Sequence, residues 1–425
     1  MEYFNLYNHC YFHRGEKNAA VYDIFQKRIF WIEDSRKIDF LDMSRRGLSL
    51  SEISRRLSVE ESLIRNFAAF YETVELGAFY ESPKVSPKYR PFIHPHLERE
   101  KSFYRPLGVV SLEVSSRCTG QCWFCDSDKR LASLECTCGC FSNRPKIEYA
   151  IDEVIGHLAC AAPASIELTG GDPFSNRADT LSCIMAASRH SIPVNVRTFG
   201  SLLTSRDIVF LKQYKASMSL VLSNFAPESS QEDIARISRI LSWSAAEKYF
   251  DIDVVLLMDE NHVEQLEAAR QWFGGIGLPI RTVTLYYPVE LLHATDNERS
   301  QRLKACLMSS PDRFAVDMNG LARNVKGHSC WQDHLCILSN GDVTPCLAER
   351  DHVYGNAKTE NILDIIRGKR SEKLMGMTKQ TMDERCAHCE FSIGCAPCSV
   401  ATKKMQGSYE KPGWNCVYRP DIGRF

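Results

Sequence analysis

The chain has no long apolar run. Nothing in its 425 residues approaches the roughly eighteen consecutive apolar positions of a bilayer-crossing helix, so no membrane role is expected. It also lacks an excess of either charge. Its 52 Lys and Arg balance 53 Asp and Glu to a formal net charge of −1, which leaves no bulk attraction to nucleic acid or to an anionic surface. The opening Met1-Glu-Tyr-Phe carries no basic n-region, so the expected location is the cytoplasm. The apolar and charged fractions are those of a globular protein, and the length suggests two or three domains. What the chain has in abundance is cysteine. Its 18 thiols gather in short motifs without an export signal, which points to metal binding in a reducing compartment rather than to disulfides. Oxygen-sensitive metal clusters would favour an anaerobic or low-oxygen host.

The first motif is Cys118-Thr-Gly-Gln-Cys122-Trp-Phe-Cys125, directly after Leu107-Gly-Val-Val-Ser-Leu-Glu-Val114, a run that reads as a buried strand. Three thiolates in a loop after a strand can hold three corners of a cubic iron–sulfur cluster and leave the fourth iron open. A zinc knuckle is the other reading, and it would need a fourth nearby ligand. The spacing resembles the signature of the radical S-adenosylmethionine (SAM) enzymes, and Phe124, just before the last cysteine, fits that pattern. The resemblance implies that the open iron chelates S-adenosyl-L-methionine, and that one electron splits it to a 5′-deoxyadenosyl radical.

From about 106 to 320, short apolar runs alternate with helical stretches, as in βα units. Candidate strands are 107–114, Ser165–Thr169, Val194–Thr198, Met218–Ser223, Ile252–Leu257 and Arg281–Tyr286. Six strands match the partial (β/α)6 barrel of that family, an α/β fold with its site at the strands' C-terminal ends. Thr169-Gly170-Gly171-Asp172-Pro173 follows the second strand, and its glycines would let backbone approach a ligand. The family uses a Gly-Gly-Glu-Pro-like turn for the SAM amino group, with Asp172 here in place of Glu. By the same resemblance Thr198 sits at a SAM-binding turn and Ser223 near the ribose, beside Asn224; structural turns are the alternative at both places. Tyr286 and Tyr287 either line a substrate channel or pack in the core. Cys136-Thr-Cys138-Gly-Cys140 departs from the family, and its role is open. The isolated Cys10, Cys160, Cys183 and Cys306 read as buried small apolar residues.

Ahead of the barrel, residues 3–14 and 20–32 have strand composition. Helices are expected from Asp34 to about Arg46, within Ser49–Leu57 with Ser51 as cap, and from about Val59 to Leu76 with Gly77 as terminator. This winged-helix-like unit, 1–80, resembles the leader-binding domain of peptide-modifying enzymes. That resemblance implies that it holds a precursor's leader as an added strand. A helical dimerisation or DNA-binding module is the other reading. Residues 81–105, rich in proline, read as a linker.

The end of the chain, 321–425, carries Cys330, Cys336 and Cys346 around an Asn-Gly hairpin, then Cys386-x2-Cys389-x5-Cys395-x2-Cys398, and finally Cys416. Eight cysteines suffice for two fully ligated [4Fe–4S] clusters, and two zinc ribbons are the alternative. The pattern resembles the SPASM extension of radical SAM enzymes that act on peptides. By that resemblance one auxiliary cluster is held by Cys330, Cys336, Cys346 and Cys398, and the other by Cys386, Cys389, Cys395 and Cys416. The gap of two before Cys398, where three is usual, is a departure. The stretch from Cys389 to Cys398 with Cys416-Val-Tyr-Arg-Pro420 resembles grasp-with-SPASM peptide maturases.

The expectation is therefore a radical SAM/SPASM enzyme with three [4Fe–4S] clusters that modifies a ribosomally made precursor peptide. Flavodoxin or ferredoxin would supply the electron, and the product would be a thioether or carbon-linked crosslink. Peptide epimerisation, formylglycine formation in a sulfatase, and a zinc-loaded nucleic-acid regulator are the alternatives. Leu347, where the sulfatase-modifying group has an acidic base, counts against the second.

Overall fold

The computed structural model describes residues 1–83, 107–118, 146–259, 262, 265–286, 310–396, 398–414 and 416–425. Cys122, Phe124, Cys125, the Cys136–Cys140 group, Cys306, Tyr287 and most of the linker lie outside the described residues. Among the described residues no helix is long and apolar enough to cross a membrane.

The chain opens with β1 (Tyr3–Leu6), β2 (Cys10–Arg14), β3 (Ala19–Asp23) and β4 (Arg28–Ile32). Three helices follow: α1 (Ser35–Arg45), α2 (Leu50–Leu57) and α3 (Glu61–Thr73). Strands β2, β3 and β4 form an antiparallel meander, and the helices bury Phe40, Ile53, Ile64 and Tyr71 against Phe4. Two local expectations change. The cap of α2 is Ser49, not Ser51. Ser49 Oγ accepts from the Glu52 N–H while Glu52 accepts from the Ser49 N–H, a reciprocal box that Ser51, already inside the first turn, cannot make. Gly77 does not end a helix. It opens β5 (Gly77–Tyr80), which pairs antiparallel with β1, and a Cβ there would lie 2.5 Å from the Asn5 carbonyl oxygen.

The barrel strands are β6 (Val109–Ser115), β7 (Ser165–Gly170), β8 (Val194–Thr198), β9 (Ser217–Ser223), β10 (Ile252–Asp259) and β11 (Ile280–Tyr286). They pair in parallel and in sequential order. Helices α4 (Ile151–Cys160), α5 (Arg177–Arg189), α6 (Ser205–Gln213), α7 (Gln231–Glu247) and α8 (Leu266–Gly275) cover one face. Alternate residues of each strand, such as Val110, Leu112, Ile166, Leu168, Val196 and Leu220, pack on those helices; the residues between them face the concave side.

The cysteine-rich end continues the same sheet. Strand β12 (His334–Ile337) pairs in parallel with β6, His334 opposite Val109 and Ile337 opposite Leu112. It then turns back through Asn340-Gly341 into β13 (Asp342–Thr344), which pairs with β14 (Gly355–Asn356). Among the described residues the result is one nine-stranded, mostly parallel sheet in an α/β protein.

Candidate cluster and cofactor site

Strand β6 ends at Ser115 and delivers Cys118 three residues later. Cys118 packs against Phe199, Val221, Val255 and Leu257, an apolar patch on the concave side supplied by β9, β10 and the end of β8. These residues alternate with the helix-facing ones, so the same pleat that builds the core also shields this thiol from water.

The Gly170–Pro173 turn lies beside it. A Cβ on Gly170, whose φ is +127°, would stand 2.1 Å from the Ser115 carbonyl oxygen, and one on Gly171 would stand 2.1 Å from that of Arg117. Both positions exclude any side chain. The close approach is to the backbone at the end of β6 and just beyond it. The Gly171 N–H donates to Ser115 O and the Asp172 N–H to Arg117 O, both at 2.7 Å, so the turn clamps the chain that carries Cys118.

Asp172 is fully buried. Its carboxyl accepts from Thr198 Oγ1 at 2.9 and 3.0 Å, from the Phe174 N–H at 3.0 Å and from the Phe199 N–H at 3.2 Å. Burial raises its pKa above the usual value, against those four bonds. Thr198 Oγ1 in turn accepts from the Gly200 N–H at 3.0 Å. The side chains of Asp172 and Thr198 thus brace two strand-end turns together, and any contact with a cofactor at these positions falls to the backbone. Ser223 is half-buried at the end of β9, opposite Leu257.

Deeper in the concave face lies a charged layer that the sequence reading did not single out. Arg197 Nε donates to Glu167 Oε1 at 2.6 Å, Asn195 Nδ2 reaches Glu167 at 3.2 Å and Ser219 at 3.0 Å, and Arg281 reaches Ser219 at 3.3 Å. The signal was present as polar residues at every second position of strands β7, β8 and β9. Nearer β12, buried Glu113 accepts from Arg350 Nη2 at 2.9 Å and from the Ser339 N–H and Oγ at 3.0 Å. Arg350 also donates to the Leu347 carbonyl at 3.2 Å, which ties β6 to the turn after Cys346.

Twelve of the cysteines lie among the described residues. Cys386, Cys389, Cys395 and Cys416 are electrostatic neighbours of one another, and Arg385 Nη2 donates to Cys416 Sγ at 3.1 Å. Burial pushes the Cys386 thiol up to about 11, Cys395 up to about 12 and Cys389 higher still. Cluster assembly there must displace protons. For the other expected set, Cys336 pairs with Thr344, two residues from Cys346. His328 accepts from the Cys330 N–H at 3.2 Å through Nδ1 and meets Ser399 Oγ at 2.7 Å through Nε2, so one imidazole links Cys330 to the neighbour of Cys398. Burial lowers its pKa to about 3, which keeps it neutral. The Cys386, Cys389, Cys395 and Cys416 set, soft sulfur donors in largely closed surroundings, fits an iron–sulfur cluster, whereas Cys330 of the other expected set is exposed.

The isolated cysteines differ. Cys10 and Cys183 are buried as expected, whereas Cys160 is exposed at the end of α4. His9, Cys10 and Asp23 converge like metal ligands, but Asp23 already accepts from Arg28 Nη2 at 2.8 Å and from the Phe25 and Gln26 N–H groups. Its carboxyl is spent on the turn.

Residues 330–390 match the SPASM model, an iron–sulfur cluster-binding domain. Curated proteins give no match. Among solved structures, anSMEcpe with bound AdoMet is similar at a TM-score of 0.53 and 14% identity, covering 73% of this chain and 90% of that one. Streptococcus suis SuiB bound to S-adenosylmethionine is similar at 0.51 and 13%, covering 96% of this chain and 98% of that one. Native anSMEcpe with bound AdoMet and Kp18Cys peptide gives 0.51 and 14%, covering 72% and 94%. At these identities the likeness is one of fold. It is the fold of these S-adenosylmethionine-bound proteins, with a SPASM domain at its end.

Proposed function

We propose that this chain, with a SPASM domain on that fold, is a radical SAM enzyme that modifies a ribosomally made precursor peptide. The observation that carries the reading is the placement of Cys118 on a water-excluding apolar patch at the barrel's strand ends, locked there by the Gly170–Pro173 turn. Cys118, Cys122 and Cys125 would hold a [4Fe–4S] cluster with one open iron. Backbone of Gly170, Gly171, Asp172 and Pro173, with Thr198, Ser223 and Phe124, would border S-adenosyl-L-methionine. When bound, this pair supplies reductive SAM cleavage and a radical that abstracts hydrogen. Phe199, Val221, Val255 and Leu257 keep water from that step, and Glu113 with Arg350 joins its strand to the Cys346 turn.

Cys330, Cys336, Cys346 and Cys398 would hold one auxiliary cluster, and Cys386, Cys389, Cys395 and Cys416 the other. Both would carry electrons away from an oxidised product. The product would be a thioether or carbon-linked crosslink, with flavodoxin or ferredoxin as reductant in the cytoplasm. The N-terminal unit would bind the precursor's leader. Formylglycine formation is disfavoured by Leu347, a buried apolar residue at the position directly after Cys346 where that group has its acid.

The test is anaerobic reconstitution followed by assay of deoxyadenosine. Wild-type chain should release it with SAM and a strong reductant, and Cys118→Ala should not while keeping both auxiliary clusters. Release from Cys118→Ala would reject the assignment. Co-expression with any short peptide gene found beside this one should give a peptide product lighter by two hydrogens; an unchanged peptide mass would reject the crosslink.

A further inference from the structure

The proline-rich 81–105 stretch suggests an N-terminal module held at the end of a tether. The structure instead packs the β2–β3–β4 meander onto the turn that carries Cys386, Cys389 and Cys395. Ala20, Tyr22, Ile24 and Ile29 of the meander share one apolar cluster with Phe391, Ile393 and Tyr418, and Cys389, Cys395 and Cys416 pack against that same cluster.

Hydrogen bonds fix the contact along the ligand turn. The Glu16 N–H donates to the His388 carbonyl at 2.8 Å. The ring of His13 bonds the Cys389 backbone and meets Ser392 Oγ at 3.1 Å. Tyr22 donates its hydroxyl to the Glu390 carbonyl at 2.7 Å, and Trp31 Nε1 donates to Glu390 Oε1 at 2.9 Å. Tyr418 also donates its hydroxyl to Glu390 Oε1. Glu390, the residue after Cys389, is fully buried, and its Oε2 has no hydrogen-bond partner. That oxygen is sealed by the module: a Cβ on Gly15 would lie 2.5 Å from it. Trp31 lies tilted against Phe391 with ring centroids 6.0 Å apart and edge-on to Tyr418 at 6.3 Å, closing the same side.

We propose that Tyr22 and Trp31 are positioning residues for the second auxiliary cluster, and that the N-terminal sheet is one wall of its pocket. The inference rests on the reading of Cys386, Cys389, Cys395 and Cys416 as one cluster. The module then has a second task besides holding a leader: it fixes the ligand turn and keeps water from three of the four thiols. Hydrogen bonding around the ligands and solvent exposure are the protein's levers on such a cluster's potential. Opening this wall admits water, which favours the more highly charged reduced state and moves the potential upward.

The experiment uses the full chain with Cys118, Cys122 and Cys125 all changed to Ala, reconstituted anaerobically, so that only the auxiliary sites can load. Tyr22→Phe and Trp31→Phe are compared with this parent, with Phe25→Ala as a control on the module's outer face. The readouts are iron per chain, iron release to a chelator, and potentials followed by electron paramagnetic resonance. Tyr22→Phe removes a single oxygen atom, so the module stays folded, as circular dichroism will verify. The expected result is that one of two iron populations is released about tenfold faster in both variants, as one hydrogen bond to a buried partner implies. One potential moves positive and the control matches the parent. Two clusters in the parent with unchanged release and potential in both variants would overturn this inference alone. A parent that loads only the first auxiliary set would overturn the cluster reading, and the inference with it.

Discussion

Asp172→Ala removes the acceptor of four hydrogen bonds and leaves the N–H groups of Phe174 and Phe199 and the Thr198 hydroxyl without it. The site is fully buried, so water does not replace the lost carboxyl. Each abandoned buried donor costs about 1–3 kcal/mol, and neighbouring losses are not additive, so the turn should be weakened by about 4 kcal/mol. A chain of this size does not unfold in one step, so a global melting temperature is the wrong readout. Hydrogen exchange is the right one. Peptides covering Phe174 and Phe199 should exchange about a thousandfold faster, the factor that corresponds to that energy. Asp172→Asn keeps the shape but turns an NH2 toward one of the donors, and should fall between the two, at roughly 2 kcal/mol. Deoxyadenosine formation should follow the same order. Exchange in Asp172→Ala within tenfold of the parent would show that the carboxyl is not the brace.

Gly171→Ala places a methyl 2.1 Å from the Arg117 carbonyl oxygen, so SAM binding should be lost while auxiliary iron is retained; binding within threefold of the parent, by calorimetry, would contradict the clamp. Glu113→Gln removes the carboxylate that faces Arg350 in a buried pair and should cost about 3 kcal/mol in the local exchange of β12; a Glu113→Met, Arg350→Met double variant should be milder. If the single variant is as stable as the parent, the pair does not join the two units. Burial holds His13 down at about 4 against an ordinary 6.5, so the unfolded chain takes a proton that the folded chain refuses between those values. Its contribution is therefore complete above the upper value and is lost on acidification toward the lower one, amounting to about 3 kcal/mol. The urea midpoint of the N-terminal unit should fall between pH 7 and pH 4 by more in the parent than in His13→Gln; equal slopes would refute the assignment.

How far the sequence carries is clearest in the barrel. Val194–Thr198 is the observed β8 to the residue, and the other five strands differ from expectation by one or two positions at their ends. Continuous apolar runs between helical stretches are a local signal, and local signals survive reading without a structure. The Asn340-Gly341 hairpin was legible for the same reason. Non-local pairing was not. Nothing in His334–Ile337 says that it joins β6 in parallel, because its partner lies more than two hundred residues earlier. The docking of Tyr22 and Trp31 on Glu390 is hidden in the same way. The glycines of the Gly170–Pro173 turn stand out in the sequence, but that they also make room for the Ser115 and Arg117 carbonyls depends on non-local packing. The charged layer of Glu167, Asn195 and Arg197 was masked by its apolar neighbours, which dominate the run.

Iron, sulfide and deoxyadenosine measured on one anaerobic preparation test the central claim most directly. The account predicts about twelve irons per chain, taking four per cubane, with deoxyadenosine released when SAM and a strong reductant are added. Stoichiometric zinc without iron, or a full complement of iron with no deoxyadenosine, would contradict it.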